Sequence, residues 1–219
     1  ALAVIMGEVR RRLRDSVAIS VVTLPFSEEG EERMRNAQVG LQETLENSDM
    51  VIVNSNDILV NKIARVSFDH ALRIMDARLA RVIGAIVRLQ SRETAPGVIN
   101  VDFHNFQRVT KDSGLGFIGV GTGVRVYDAV ENALKDDYSE TELRNARAAI
   151  VYVEGPSPYL DLQQVRMAPR YISKTYGIPT VFFGVRPTWE VREPRVSIVA
   201  SGVKSRYVEE FLERGGLPG

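Results

Sequence analysis

The sequence predicts an α/β fold: the second half of a doubly wound domain, a long central helix, and then an α+β unit with a four-stranded sheet. Three observations predict it. Before residue 63, apolar strand-like runs alternate with helical patterns, as in strand–helix–strand units built on a parallel sheet. From Ile63 to Arg92, apolar residues recur at Phe68, Leu72, Met75, Leu79, Val82, Ile86 and Leu89, the spacing of one continuous helical face. After Pro96-Gly97 the pattern changes to short strands separated by two helical segments. The expected division is therefore residues 1–62, the helix 63–96, the α+β unit 97–206 and a tail 207–219.

Taken in order, Ala1 to Arg14 is helix-like, with Leu2, Ile5, Met6, Val9 and Leu13 on one side. Its Arg10-Arg11-Arg12 cluster suits the negative end of a helix dipole and is expected to be solvated. Val17 to Leu24 reads as a strand of the kind buried on both faces of a parallel sheet. Pro25-Phe26-Ser27 turns the chain, and a helix is expected from Glu28 to Asn47. Met50 to Val53 is the next strand, closing in a polar turn at Asn54-Ser55-Asn56-Asp57. A central helix of about 27 residues would be roughly 40 Å long. It is expected to stop at Ala95-Pro96-Gly97, where proline cannot continue it and glycine permits a turn. Beyond it, strands are expected at Gly114–Val120, Ala148–Glu154, Thr180–Val185 and Arg195–Ser201. The intervening helices are Tyr127–Lys135 and Leu160–Tyr176, the second kinked by Pro169. The tail from Tyr207, ending in Gly-Gly-Leu-Pro-Gly, is expected to fray.

The totals remove several function classes. Lys+Arg and Asp+Glu number 28 each, so nothing points to nucleic acid as a partner. Cysteine is absent, which excludes disulfides and thiol catalysis. His70 and His104 are the only histidines, and no metal site is expected of the chain itself. A composition 44% hydrophobic and 26% charged, without a signal-like opening or a membrane-length apolar run, suggests a cytoplasmic protein with no integral membrane segment.

Four places are candidates for chemistry. Gly97-Val-Ile-Asn-Val-Asp-Phe-His-Asn-Phe106 sets Asn100, Asp102 and Asn105 among apolar residues, where unpaired burial is costly. Read locally, Asp102 or Asn100 caps a short helix running to Lys111, with Asn105 in its first turn. His104 reads as a surface residue, or as a base near neutral pH. In Thr23-Leu-Pro-Phe-Ser-Glu-Glu-Gly-Glu-Glu-Arg-Met34, Glu29 and Arg33 lie four apart and share a helix face at an acidic N-terminus. Asn56-Asp57 follows a strand, where α/β sheets collect ligands, although the residues alone favour a plain Asn/Asp turn. Asp76 is a poor helix former in mid-helix, with Arg73 or Arg78 as ordinary partners. Gly119-Val-Gly-Thr-Gly123 superficially suggests a phosphate loop, but the following helix starts too late, and it is discounted.

Gly97-Val-Ile-Asn-Val-Asp-Phe103 at the end of a long helix resembles the synergy loop of the FtsZ branch of the tubulin/FtsZ superfamily. The turn at Thr23–Met34 is similar to that family's strand-end turn in its Pro25-Phe26, Glu29-Gly30 and Arg33-Met34. The resemblance covers nearly the whole chain but only the C-terminal two-thirds or so of a family member. The family's glycine-rich phosphate signature does not occur, so a fragment or one piece of a split subunit is expected, inactive alone. The resemblance implies a self-assembling GTPase of cell division, binding GTP or GDP with Mg²⁺. Its head-to-tail contacts are heterologous and build open filaments. The implied partners are other copies of itself and, through the tail, division-machinery proteins.

Residue by residue, the resemblance implies a ribose contact for Glu29 and a phosphate contact for Arg33, whose donor fork suits the task. It sets Asn56 near the guanine base. It makes Asp76, by its interval to Gly84, the acid that reads guanine. Asp102 with Asn100 would act on the next subunit's nucleotide. Asn105 stands where the family has a second carboxylate; an amide orients water but cannot accept a proton, so slow hydrolysis is expected. Ala71 occupies the place of an aromatic that packs on the base, and Ser91–Ala95 lengthens the approach to the loop. Two alternatives stay open: a divergent, weakly or non-hydrolysing paralogue in cell shape or filament regulation, and an unrelated α/β small-molecule enzyme.

Overall fold

Alternating side chains along the strands sort the helices onto two faces of one sheet. The structure is a computed structural model and describes residues 2–13, 15–63, 66–90 and 97–214. In chain order these form α1 (Leu2–Arg12), β1 (Ile19–Leu24), α2 (Glu31–Asn47), β2 (Met50–Ser55), α3 (Asn56–Lys62), α4 (Phe68–Gln90), α5 (Phe103–Thr110) and β3 (Gly114–Thr122). There follow α6 (Val126–Lys135), β4 (Thr141–Glu142), β5 (Ala148–Gly155), α7 (Leu162–Tyr176), β6 (Val181–Pro187), β7 (Arg195–Ser201), β8 (Lys204–Ser205) and α8 (Arg206–Glu213). The six-stranded sheet runs β1-β2-β3-β7-β5-β6, and β4 pairs with β8 separately. Neighbours are parallel except at β7, which is antiparallel to both β3 and β5.

Strand β5 shows how the layers arise. Ala149, Val151 and Val153 join the core built with α6 and α7. Ala148, Ile150 and Tyr152 face the opposite way, into the core shared with Val82, Ala85 and Leu89 of α4 and Phe106 and Val109 of α5. On the first side, α2 and α8 cover β1 and β2 through Leu41, Val208 and Phe211. Helices therefore cover both faces. The four expected C-terminal strands form, and β3 continues the sheet onto β2 through the register Met50↔Gly114 to Ile52↔Gly116.

Local chemistry sets the helix ends. The Ser55, Asp102, Asp161 and Ser205 side chains accept backbone N–H groups at the starts of α3, α5, α7 and α8. Left-handed Gly177 closes α7, which runs through Pro169. Close approach explains the Gly119-Val-Gly-Thr-Gly123 run: a Cβ at Gly121 would lie 2.2 Å from the Ala133 backbone nitrogen of α6. Those glycines let a helix lie on the sheet.

Several expectations are corrected. Strand β1 is the outer strand of the sheet, so Ile19, Val21 and Val22 are half-buried and Thr23 is exposed, not covered on both faces. Asn54 and Ser55 extend β2, and Asn56-Asp57 open helix α3 because Ser55 Oγ accepts the Ile58 N–H; no turn forms there. Glu29 lies in a short 3₁₀ turn, Ser27–Glu29, and the helix proper begins at Glu31. Helix α4 begins at Phe68, not Ile63, and buries Ala71, Met75, Arg78, Val82, Ala85 and Leu89. Phe68 and Leu72 are exposed, because the contact with Leu59 of α3 selects the small Ala71 for the buried stripe. The stop at Ala95-Pro96 and the Ser91–Ala95 stretch lie outside the described residues. Residues Tyr207 to Glu213, expected to fray, form most of α8 and bury Val208 and Phe211 behind a Ser205 cap. Arg10, expected to be solvated, reaches Asp49 (3.3 Å) and Asp112 (2.5 Å). No helix among the described residues is long and apolar enough to cross a membrane.

Candidate functional site

The first group of predicted site residues gathers at the carboxyl ends of β1 and β2, the edge where open α/β sheets hold ligands. The Phe26 N–H donates to Glu29 Oε1 (2.7 Å), and the Ser27 N–H donates to Asp57 Oδ1 (3.1 Å). Glu29 Oε2 forms an ion pair with Arg33 Nε at 2.9 Å. The Arg33 side chain nevertheless stays 69% exposed, which leaves its outer nitrogens accessible. Asn56 is 8% exposed, and its Oδ1 has no hydrogen-bond donor among the described residues; the same holds for Asn54 Oδ1. Two buried acceptors without donors among the described residues, on either side of the β2–α3 junction, mark places where a donor is missing.

Helix α4 meets this corner through Phe68, whose ring lies 5.6 Å from that of Phe26. Asp76 follows on the same helical stripe, two turns on, and is exposed. Neither suggested partner takes it: Arg73 pairs with Asp69 (2.9 Å), and Arg78 turns inward to Asp136. Ala71 is 2% exposed and packs with Leu59 and Met75, so that position presents nothing to a ligand.

One residue of this corner, Tyr207, is not among the sequence's candidates, and Asp57, a candidate only as the neighbour of Asn56, has a supporting role. Asp57 fixes the turn, and Tyr207 of α8 fixes Asp57. The Tyr207 hydroxyl accepts from Ser55 Oγ (2.7 Å) and donates to Asp57 Oδ2 (3.5 Å). Burial, reinforced by Asp57, raises the Tyr207 phenol above its ordinary value. Only the fold joins positions so far apart in the chain.

The second group sits at the other end of α4. Ile99 exchanges two backbone hydrogen bonds with Val185 of β6 (2.8 and 2.9 Å), pinning the loop to the sheet edge. Asn100 and Asp102 follow that anchor, and both are exposed. Asp102 caps α5 by accepting the His104 N–H (3.3 Å), as the local reading predicts. Asn105 occupies the third position of α5, over the same helix end as the cap. Phe106 is buried against Val82, Ala85 and Leu89, so the C-terminal half of α4 carries α5. His104 is exposed, the surface position expected of it. About 21 Å of helix separates Asp76 from Gln90. The structure therefore assembles each group but holds the two apart.

Between them, α4 is fixed by two buried charge clusters. Arg78 donates to Asp136 and to the Ile118 carbonyl (2.7 Å), with side-chain exposures of 2% for Arg78 and 8% for Asp136. Asp136 also accepts the Val120 N–H (2.9 Å). Burial pulls the Arg78 guanidinium below its ordinary value, against the opposing effect of Asp136. Further along, the fully buried Glu154 accepts from Arg88 (3.1 Å), Arg195 (3.0 Å) and Arg186 (3.2 Å). Glu154 lies opposite Arg186 on β6 and Arg195 on β7. That register is what brings the three charges together, and a single sequence does not display it.

The fold and these two groups define an α/β protein with a ligand edge at one end of a central helix and a polar loop at the other. Residues 1–64 match the Tubulin/FtsZ family, GTPase domain. The chain is 30% identical to the cell division protein FtsZ 1 of Pyrococcus woesei over 94% of its own length and 56% of the relative's. An empty FtsZ dimer of M. jannaschii superposes with a TM-score of 0.80 at 27% identity, over 91% of this chain and 58% of that one. A GDP-bound CetZ1 monomer from Haloferax volcanii shares the fold, with a TM-score of 0.81 at 18% identity, over 97% of this chain and 63% of that chain. The chain belongs to the tubulin/FtsZ superfamily. It spans a little over half the length of the curated relatives it matches.

Proposed function

We propose that this polypeptide is part of an FtsZ-like, self-assembling GTPase of cell division, with GTP held at the β1–β2 corner and hydrolysed between subunits. The observation that carries the reading is the separation of two polar groups by α4. One is a corner with orphaned buried acceptors; the other is an exposed carboxylate and amides on a pinned loop. In the proposed site, Asn56 Oδ1 and Asp76 accept from the guanine edge, which offers N–H donors. Glu29 holds the ribose and orients Arg33, which meets phosphate. The loop is too distant to serve the same nucleotide, so Asp102 and Asn100 act on the nucleotide of the next subunit and help orient the attacking water. Head-to-tail repetition of that contact builds an open filament. Mg²⁺ would arrive with the nucleotide phosphates and neutralise charge there; among the described residues no cluster of three or more His, Cys, Asp or Glu stands ready to hold an ion.

Phosphate release from GTP, measured against the concentration of the intact protein, tests the reading. Specific activity that rises above a threshold concentration supports a site completed by a neighbour. A protein that stays monomeric with saturating GTP and Mg²⁺ refutes it.

Two observations favour a second reading, a divergent paralogue that binds nucleotide and turns it over slowly. Asn105 replaces a carboxylate beside the Asp102 cap, and buried Ala71 offers no ring to the base. Asn105→Asp is then expected to raise turnover, and an unchanged rate would count against this reading.

A further inference from the structure

A cleft of about 710 Å³ opens between α4, the end of β3 and the C-terminal end of α6, away from both polar groups described above. Its walls include Arg81, Arg88, Arg195, Lys135, Asp136 and Tyr138, and the backbone of Gly121 and Thr122 completes the rim. Among the described residues, the lining carries more cations than carboxylates. Arg78 and Arg81 share Asp136, while Arg88, Arg186 and Arg195 share Glu154. The lining itself, among the described residues, brings Arg81, Arg88, Arg195 and Lys135 together with one carboxylate, Asp136, while Glu154 accepts from Arg88 and Arg195.

Geometry makes the excess usable. Arg195 meets Glu154 through Nε alone, so its Nη atoms have no partner among the described residues. Arg81 spends one nitrogen on Asp136 at 3.3 Å and remains 44% exposed. Burial, with Arg195 and Arg186 nearby, pulls Arg88 below its ordinary value despite Glu154. Guanidinium forks and an ammonium converging on one concave surface are suited to adjacent anionic oxygens.

We infer that this cleft binds a small polyanion, a polyphosphate or a polycarboxylate, bridging the central helix to the C-terminal strands. It is a site separate from the proposed nucleotide corner, and the two can be tested apart.

Titration of the chain with pyrophosphate and with citrate, followed calorimetrically and by backbone amide shifts, decides it. Saturable binding is expected for at least one, with shifts centred on Gly121, Thr122 and Lys135; the arm that binds identifies the anion class. Arg81→Gln with Lys135→Gln, both at exposed positions, is expected to weaken binding about tenfold or more, and Lys135→Arg to retain it. Arg33→Ala, in the other site, is expected to leave it unchanged. Absence of binding by both anions, shifts centred elsewhere, or an affinity indifferent to the double substitution would overturn the assignment.

Discussion

Replacing Asp136 by Asn is expected to cost this fold far more than removal of any surface charge. Asp136 is 8% exposed and holds Arg78, which is 2% exposed, along with the Val120 N–H at 2.9 Å. An asparagine keeps the shape and can still accept the Val120 N–H, but it leaves the Arg78 guanidinium buried without a counter-charge. Breaking a buried pair in this way costs about 3–5 kcal/mol. For a chain of this length that corresponds to a fall in Tm of about 6–20 °C. Urea unfolding should show a lowered midpoint with an unchanged slope, since the surface exposed on unfolding is the same. Asp69→Asn is the control: its pair with Arg73 is 75% exposed on both sides, and its loss should cost under about 1 kcal/mol. Arg78→Met combined with Asp136→Asn should recover much of the deficit, because no buried charge then lacks a partner. A loss below about 1 kcal/mol for Asp136→Asn would refute the reasoning, showing that water reaches the guanidinium.

Tyr207→Phe should cost about 0.5–1.5 kcal/mol, the worth of its hydrogen bonds to Ser55 and Asp57. Because the folded state raises the phenol above its ordinary value of 10, Tyr207 contributes stability that is complete below pH 10. That contribution is lost as pH rises through the folded pKa, so thermal melts of the Phe variant should fall less steeply on the alkaline side. Gly121→Ala should destabilise by about 1–3 kcal/mol or more by pushing α6 off β3, read by circular dichroism melts. Asp102→Ala should cost about 1 kcal/mol through the lost cap, whereas Asp102→Asn should keep stability and lower turnover in the intact protein, separating cap from charge. Equal effects of the two substitutions on melting would show that the cap contributes nothing.

Much of the architecture was legible because periodicity and punctuation are local. The strands from Gly114 to Ser201 and the helices between them follow from runs of apolar residues and short breaks. The α5 cap was legible for the same reason: Asp102 meets the His104 N–H two residues away. What the sequence concealed depends on which distant pieces meet. The buried stripe of α4 was misplaced at its start, since only the contact with Leu59 makes Ala71, and not Phe68, the inward residue. Arg78 reads as a surface partner for Asp76, yet it is a core residue because Asp136 lies behind it. Glu154 is unremarkable in its own strand and becomes the centre of three arginines only through the β5–β6 and β5–β7 registers. For the proposed nucleotide corner, the residues were named from a pattern, while the props beneath them, Asp57 and Tyr207, needed α8 to be placed.

The arrangement also says why α4 carries charges in its buried stripe. Val82, Ala85 and Leu89 alone would seat the helix on the sheet without fixing its position along its own axis, since apolar packing is non-directional. Arg78 and Arg88 lie ten residues apart, about 15 Å along the helix, and each meets a fixed carboxylate on the sheet side. A slide of α4 would have to break both clusters together and leave charge buried, so the register of the helix is specified even where its stability gain is small. That register sets the spacing between Asp76, two residues before Arg78, and Phe106, packed where the helix ends. If the proposed inter-subunit chemistry holds, the nucleotide corner and the loop that serves the neighbour are held at a set distance by salt bridges that touch neither. Substitutions at Asp136 or Glu154 should then disturb assembly-coupled turnover by loosening that spacing, although the residues of the corner and the loop are themselves unchanged.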